Sequence, residues 1–202
     1  MVLVVAMGLF STESFQALKA EEATATFAGG CFWCVESDFD HVSGVLRTTA
    51  GYTGGTLINP TYEAISSGDT GHLEAVEIVF DPAVIGYEQL LDTFWRSIDP
   101  TDGGGQFCDR GHTYTTAIFT HDSNQTEQAQ QSKQALQDSG ELKAPIVTTI
   151  RPATRFYPAE DYHQDYYVKN PIRYKIYRYS CGRDARIETL WGAAAHQGID
   201  KH

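Results

Sequence analysis

The chain of 202 residues has no basic stripe anywhere, and its 15 Lys and Arg stand against 26 Asp and Glu, a formal net charge of −11. That balance argues against a nucleic-acid partner, which needs a basic face to meet phosphates. Long apolar runs are also missing. Val2 to Phe10 is apolar but far too short to span a bilayer, so no membrane partner is expected. Cysteine is scarce: four, widely spaced, in a chain long enough to bury a proper core do not make a disulfide scaffold, and redox or metal chemistry is the better use for them. There is no internal repeat, no low-complexity tract and no interdomain linker, which suits a single domain. Glycine-rich stretches at 51–55, 67–72 and 102–105 match neither GxGxxG nor a P-loop, so they are read as tight turns. Without a flavin, haem or nicotinamide motif, no bound cofactor is expected.

The chain does have Gly-Gly-Cys-Phe-Trp-Cys at residues 29–34. A CxxC alone is weak evidence, because zinc ribbons, thiol oxidoreductases and chance all produce it. The bulky insert sharpens it: Phe32 and Trp33 read as walls of a pocket built against the Cys31 sulfur. Thr24 to Ala28 alternates as a short strand, two glycines permit a tight turn, and Phe32 to Val42 spaces Trp33, Glu36, Phe39 and Asp40 as an amphipathic helix. Cys31 then falls at a helix N-terminus, where unpaired N–H groups and the dipole favour a thiolate. The competing interpretation is a cysteine that merely packs, since few residue types are buried more often.

Further strands are predicted at Val45–Tyr52, Leu73–Phe80, Tyr114–Thr120, Ile146–Ile150 and Tyr174–Tyr179. Tyr87–Ser97 sets Leu90, Leu91, Phe94 and Trp95 on one helical face, and Asn124–Ser139 reads as a polar surface helix. Mixed strands and helices around one sheet follow. In Leu73–Phe80, Glu74 and Glu77 point to opposite faces, both with apolar neighbours, so periodicity alone does not say which is buried. Residues 1–23 form an apolar segment that resembles a shortened signal peptide, 24–192 a single folded domain, and 193–202 a polar tail. No Lys or Arg precedes the apolar run, and Ala23-Thr24-Ala25 falls inside the first strand, so export stays open and the location is cytoplasmic or periplasmic.

Gly-Cys-Phe-Trp at 30–33, AGYTGG at 50–55, NPTY at 59–62, SGDTGHLEAV at 67–76 and KNP at 169–171 occur in this order. Together they resemble the peptide methionine sulfoxide reductases of the A type, from about Thr24 to Trp191. The resemblance implies an α+β domain with a ferredoxin-like βαββαβ core, additional helices and a partly irregular C-terminal region. It also implies reduction of the S epimer of methionine sulfoxide, free or in oxidised proteins, with Cys31 as nucleophile. Such an attack suits a thiolate, and the sulfoxide oxygen needs a proton from a carboxylic acid kept neutral, which the resemblance makes Glu74. Tyr62 and Tyr114 match hydrogen-bond donors to that oxygen; Asp109, His163 and Tyr166 match positions that shape the pocket rim.

A sulfenic acid on Cys31 would need a resolving thiol. The commonest family pattern has Gly at position 34 and resolving cysteines in a glycine-rich tail, which this chain departs from; Cys34 is placed first, Cys181 close behind and Cys108 third. Thioredoxin is the expected external reductant, and a monomer is expected. Two other classes stay open: a thioredoxin-like disulfide exchanger using Cys31 and Cys34, and a zinc-binding module of the four cysteines with nearby histidines. The first lacks the expected strand order and the second lacks another CxxC.

Overall fold

The computed structural model describes residues 21–68 and 70–200; the apolar run Val2–Phe10 and the export signal read there lie outside the described residues. In chain order the first elements are β1 (Ala23–Gly29), α1 (Phe32–Phe39), β2 (Val45–Thr53), α2 (Tyr62–Ser67), β3 (Leu73–Phe80), α3 (Tyr87–Trp95), β4 (Gly105–Gln106) and β5 (Asp109–Arg110). There follow a 3-10 turn (His112–Tyr114), β6 (Thr116–Thr120), α4 (Ser123–Asp138), β7 (Thr149–Pro152), β8 (Tyr157–Pro158), α5 (Tyr166–Lys169), α6 (Pro171–Cys181) and α7 (Arg183–Trp191). The main sheet runs β7-β6-β1-β3-β2-β8. Its inner four strands, with α1 and α3, make the βαββαβ core of an α+β fold, every inner neighbour antiparallel. β7 extends one edge in parallel with β6, and β8 closes the other against β2.

Alternation along the strands divides two apolar layers. Phe27, Val76, Ile78 and Ile118 meet Phe32, Phe39, Leu90 and Phe94 of the helices in the larger core. Ala28, Leu73, Ala75, Ala117 and Phe119 form a smaller cluster on the reverse face. Glu74 shares the parity of Val76 and Ile78, so its side chain is sent toward the helical layer, and Glu77 faces the reverse. The ambiguity left by sequence periodicity arises because both faces are covered.

Three predicted strands are revised. Tyr174–Tyr179 is not a strand but the middle of α6. β-branched and aromatic residues favour a strand there, yet Pro171 in the first turn and Gly182 just beyond the end, at φ 72°, are helix start and stop signals. Arg178 and Tyr174, four apart, join by a 2.8 Å hydrogen bond that only a helix aligns. The strand predicted from Tyr114 begins at Thr116, because Gly111 at φ 116° turns the chain into the 3-10 turn that ends at Tyr114. The strand read at Ile146–Ile150 is the shorter edge strand β7. The polar helix lies as expected, with only Gln125, Ala129 and Leu136 buried. Residues of the polar tail fold back: the His196 N–H donates to the Arg96 carbonyl at 3.0 Å, and Asp200 to that of His41 at 2.8 Å. Among the described residues, no helix is long and apolar enough to cross a membrane.

Candidate active site

Strand β1 ends at Gly29-Gly30, and the chain turns directly into α1. Gly30 has φ 85°, and a Cβ there would lie 2.6 Å from the Cβ of Gln106, so only glycine fits. Cys31 is the residue that precedes the helix, its carbonyl accepting from the N–H groups of Cys34 and Val35 at 3.1 and 3.3 Å. The residue is buried, at 6% exposure. Glu74, at 2% exposure, reaches across from β3 and accepts the N–H of Phe32, the residue after Cys31, at 3.0 Å. Burial pushes its carboxyl up to about 8, against that hydrogen bond, so near pH 7 it is chiefly a neutral acid.

The two buried thiols form a coupled pair. Burial drives the Cys31 thiol well above its ordinary value, with the neighbouring sulfur and Glu74 adding to the effect. The sequence expectation of a thiolate at a helix start is therefore revised: the position is correct, but the helix end is outweighed by desolvation. Cys34 moves the other way, because the Cys31 S–H donates to it, aided by the cations of Arg183 and Arg178 against burial. Arg183 is itself buried, donating to the Gly29 carbonyl at 3.1 Å and the Ser97 carbonyl at 2.9 Å. Arg178 bonds Asp38 and Asp184, each at 2.7 Å.

Trp33 is the aromatic wall. Its ring stacks on Tyr166 at 3.8 Å between centroids and 7° between planes, and its indole N–H donates to Nδ1 of His163 at 3.0 Å. His163 is buried behind Trp33 rather than lying on a rim, and its Nε2 has no partner among the described residues. Phe32 is also not a wall open to a ligand: at 1% exposure it packs between Tyr52 and His163, with centroids at 5.8 and 5.0 Å. It fixes α1 in the core.

Tyr62 begins α2, its N–H held by Glu160 at 2.8 Å, and Tyr114 comes from the 3-10 turn. Both hydroxyls are raised in pKa, by burial first and then by the nearby Glu74 charge, with Cys31 contributing at each. Cys31, Glu74, Tyr62 and Tyr114 thus converge from four separate elements, and the tyrosines stay protonated as hydrogen-bond donors.

Cys108 and Cys181 are joined to each other in a disulfide, a pairing the sequence did not suggest. The ranking that treated them as separate free thiols is corrected accordingly. The Cys181 sulfur lies 3.8 Å from a carboxylate oxygen of Asp109. Among the described residues the one grouping of three or more metal-capable side chains is Cys108, Asp109 and Cys181, and the disulfide occupies both of its sulfurs. Tyr177 escaped sequence reasoning, hidden in a tyrosine-rich stretch read as strand. Its hydroxyl donates to Asp109 at 2.5 Å, and the residue packs against the cluster of Cys31, Cys34 and Tyr174. Tyr166 and Asp109 therefore connect to the cluster around Cys31 through Trp33 and Tyr177 respectively.

A family model described as peptide methionine sulfoxide reductase matches residues 23–195. The peptide methionine sulfoxide reductase MsrA of Bacillus licheniformis is 55% identical over 168 residues, 83% of this chain and 93% of that protein. Among solved structures, Mxr1 of Saccharomyces cerevisiae in reduced form aligns with a TM-score of 0.70 at 29% identity, over 77% of this chain and 91% of its own. Methionine sulfoxide reductase A of Corynebacterium diphtheriae aligns at 0.66 and 32% identity, over 78% and 79%. With a buried thiol beside a neutral carboxylic acid and a family match along nearly all the described residues, the chain belongs to the peptide methionine sulfoxide reductases.

Proposed function

We propose that the chain reduces the S epimer of methionine sulfoxide, free or in oxidised proteins, with Cys31 as nucleophile and Glu74 as proton donor. The observation that carries this reading is the placement of an uncharged Glu74 carboxyl on the N–H that follows Cys31. A sulfoxide bound with its methyl against Trp33 would turn its oxygen toward Glu74, Tyr62 and Tyr114. Tyr62 and Tyr114 donate to the oxygen, which already carries negative charge, and Glu74 protonates it. Protonation makes the sulfoxide sulfur electrophilic and places positive charge beside Cys31, which favours the thiolate that burial disfavours. The Cys31 sulfur attacks the sulfoxide sulfur while the S–O bond breaks and the oxygen leaves as water; water then adds to the Cys31 sulfur as the new S–S bond breaks, and its electron pair stays with the thioether. Net, thiol and sulfoxide become sulfenic acid and thioether.

Cys34 is the resolving thiol in this scheme, supported by its contact with Cys31 and by the engagement of the other two cysteines with each other. Its sulfur displaces the Cys31 hydroxyl as water and forms a disulfide. An external dithiol must then reduce that bond by exchange, with thioredoxin the proposed donor. Mxr1 of Saccharomyces cerevisiae has also been solved in complex with Trx2, which supports a reductant of this kind.

The test uses the two enantiomers of methyl p-tolyl sulfoxide with dithiothreitol. The parent should consume the S form alone, and Cys31→Ser should consume neither. Persistent turnover by Cys31→Ser refutes the nucleophile; turnover of the R form refutes the assigned epimer.

A further inference from the structure

The Tyr177 hydroxyl stands between two groups that can each carry negative charge. On one side it donates to Asp109 Oδ2 at 2.5 Å. On the other it packs against the Cys31–Cys34–Tyr174 cluster, its ring edge-on to Trp33 at 5.7 Å and 81°, and hydrogen bonding from the phenol opposes the upward push of burial on the Cys31 thiol. One O–H proton serves one anion at a time. Three groups in a row, thiol, phenol and carboxylate, therefore form a wire along which a proton can shift.

We propose that Tyr177 relays the Cys31 thiol proton to Asp109. The proton on the Cys31 sulfur passes to the Tyr177 oxygen as the phenolic proton passes to Asp109. The products are a Cys31 thiolate accepting from Tyr177 and a neutral Asp109 donating to Tyr177. Charge is conserved, no bond other than those to hydrogen changes, and no further reactant is required. The sulfur acquires its negative charge while remaining hydrogen-bonded, without water entering the site.

The surroundings fit each end of the wire. Burial raises the carboxyl of Asp109 above its ordinary range, with the Tyr177 bond and the Arg183 charge opposing, so it can accept a proton. The phenol itself is raised far beyond ordinary tyrosine, by burial first and then by the two sulfurs and Asp109, so it passes protons without ionising. Facing Cys31 are also Cys34, Glu74, Tyr62 and Tyr114. Cys34 is the competing acceptor, and Glu74 is committed to the opposite task of delivering a proton. The Cys108–Cys181 disulfide brackets the wire, one sulfur beside Asp109 in sequence and the other four residues beyond Tyr177 on α6.

This inference rests on Cys31 being the nucleophile, and the experiment separates the two. In Cys34→Ser, Cys31 is the single thiol outside the disulfide, so its reaction with iodoacetamide across pH reports its own ionisation. Adding Tyr177→Phe should raise the midpoint by on the order of one pH unit. The single-turnover rate with methyl p-tolyl sulfoxide should fall on the order of 10- to 100-fold, with half-saturation little changed. Asp109→Asn should shift the midpoint in the same direction, and combining the two should add nothing further. If Tyr177→Phe disturbs folding, seen as loss of the near-ultraviolet dichroism or of the disulfide, the Asp109→Asn profile decides alone. A midpoint unmoved in the interpretable variants, or losses that add, overturns the relay. Turnover that survives Cys31→Ser instead overturns the assignment of the nucleophile.

Discussion

Cys31 and Cys34 sit at the first turn of a helix fed by a central strand, both buried, whereas Cys108 and Cys181 join a loop to the end of α6 at the surface. Tyr177 and Asp109 lie between the pairs. The difference shows how one fold gives the same element two uses. The inner pair lies with a buried neutral carboxyl, protonated tyrosines and an aromatic wall, the surroundings on which the proposed chemistry rests. The outer pair lies beside Asp109 and holds two segments together. Burial makes the inner thiols reluctant to ionise and protects them from chance oxidants; exposure leaves the outer sulfurs to structural service.

The comparison can be broken first at the inner pair, where the largest effect is expected in recycling. Cys34→Ser should keep the first turnover of sulfoxide and lose thioredoxin-driven cycling by on the order of 100-fold, set by slow reduction of a bare sulfenic acid. Thioredoxin-driven cycling at the parent rate contradicts Cys34 as resolver. Glu74→Gln comes next: single-turnover reduction should fall on the order of 10² or more. In the parent the rate should decline as pH rises through about 8, the value to which burial raises Glu74, as the donor loses its proton. A pH profile of Glu74→Gln that still shows that limb contradicts the assignment.

The same substitution sharpens the contrast through stability. Between 4.5 and about 8 the folded protein keeps a proton on Glu74 that the unfolded chain has released. The stability linked to it is fully present below 4.5 and lost as pH rises toward about 8. Glu74→Gln should therefore unfold later than the parent at pH 9, by on the order of 5 °C. Glu36, raised by burial to about 7, should keep part of the slope. Equal melting temperatures at pH 9 contradict a costly buried carboxylate.

The smallest catalytic effect belongs to the outer pair. Cys108→Ala with Cys181→Ala should slow the first turnover by no more than about fivefold, a loosening of the Asp109–Tyr177 contact rather than loss of a reacting group. Stability should fall by about 2–4 kcal/mol, since the bridge closes a long loop in the unfolded chain. Loss of the first turnover in that variant would make the outer sulfurs part of the chemistry.

What was legible in the sequence was local. The Gly-Gly turn, the helix after Cys31 and the strand at 73–80 each follow from periodicity and turn chemistry within a few residues. The side of Glu74 was not, because both faces of β3 are apolar; register settles it, pairing Glu74 with Tyr52 and aligning it with Val76 toward the helices. Helix α6 was misread because tyrosines and isoleucines outweighed Asn170-Pro171 and Gly182 at its ends. Tyr177 was lost with it, since a strand would have placed it without regard to Cys31. The bridge between Cys108 and Cys181 was beyond reach in principle: a separation of 73 residues does not reveal Cα atoms 4.8 Å apart.

The central claim concerns where the oxygen goes. One equivalent of (S)-methyl p-tolyl sulfoxide, added to Cys34→Ser in the presence of dimedone, traps any sulfenic acid for peptide mass mapping. The account predicts a dimedone adduct on Cys31 and a stoichiometric amount of sulfide; sulfide formed with the adduct elsewhere, or with no adduct at all, would contradict it.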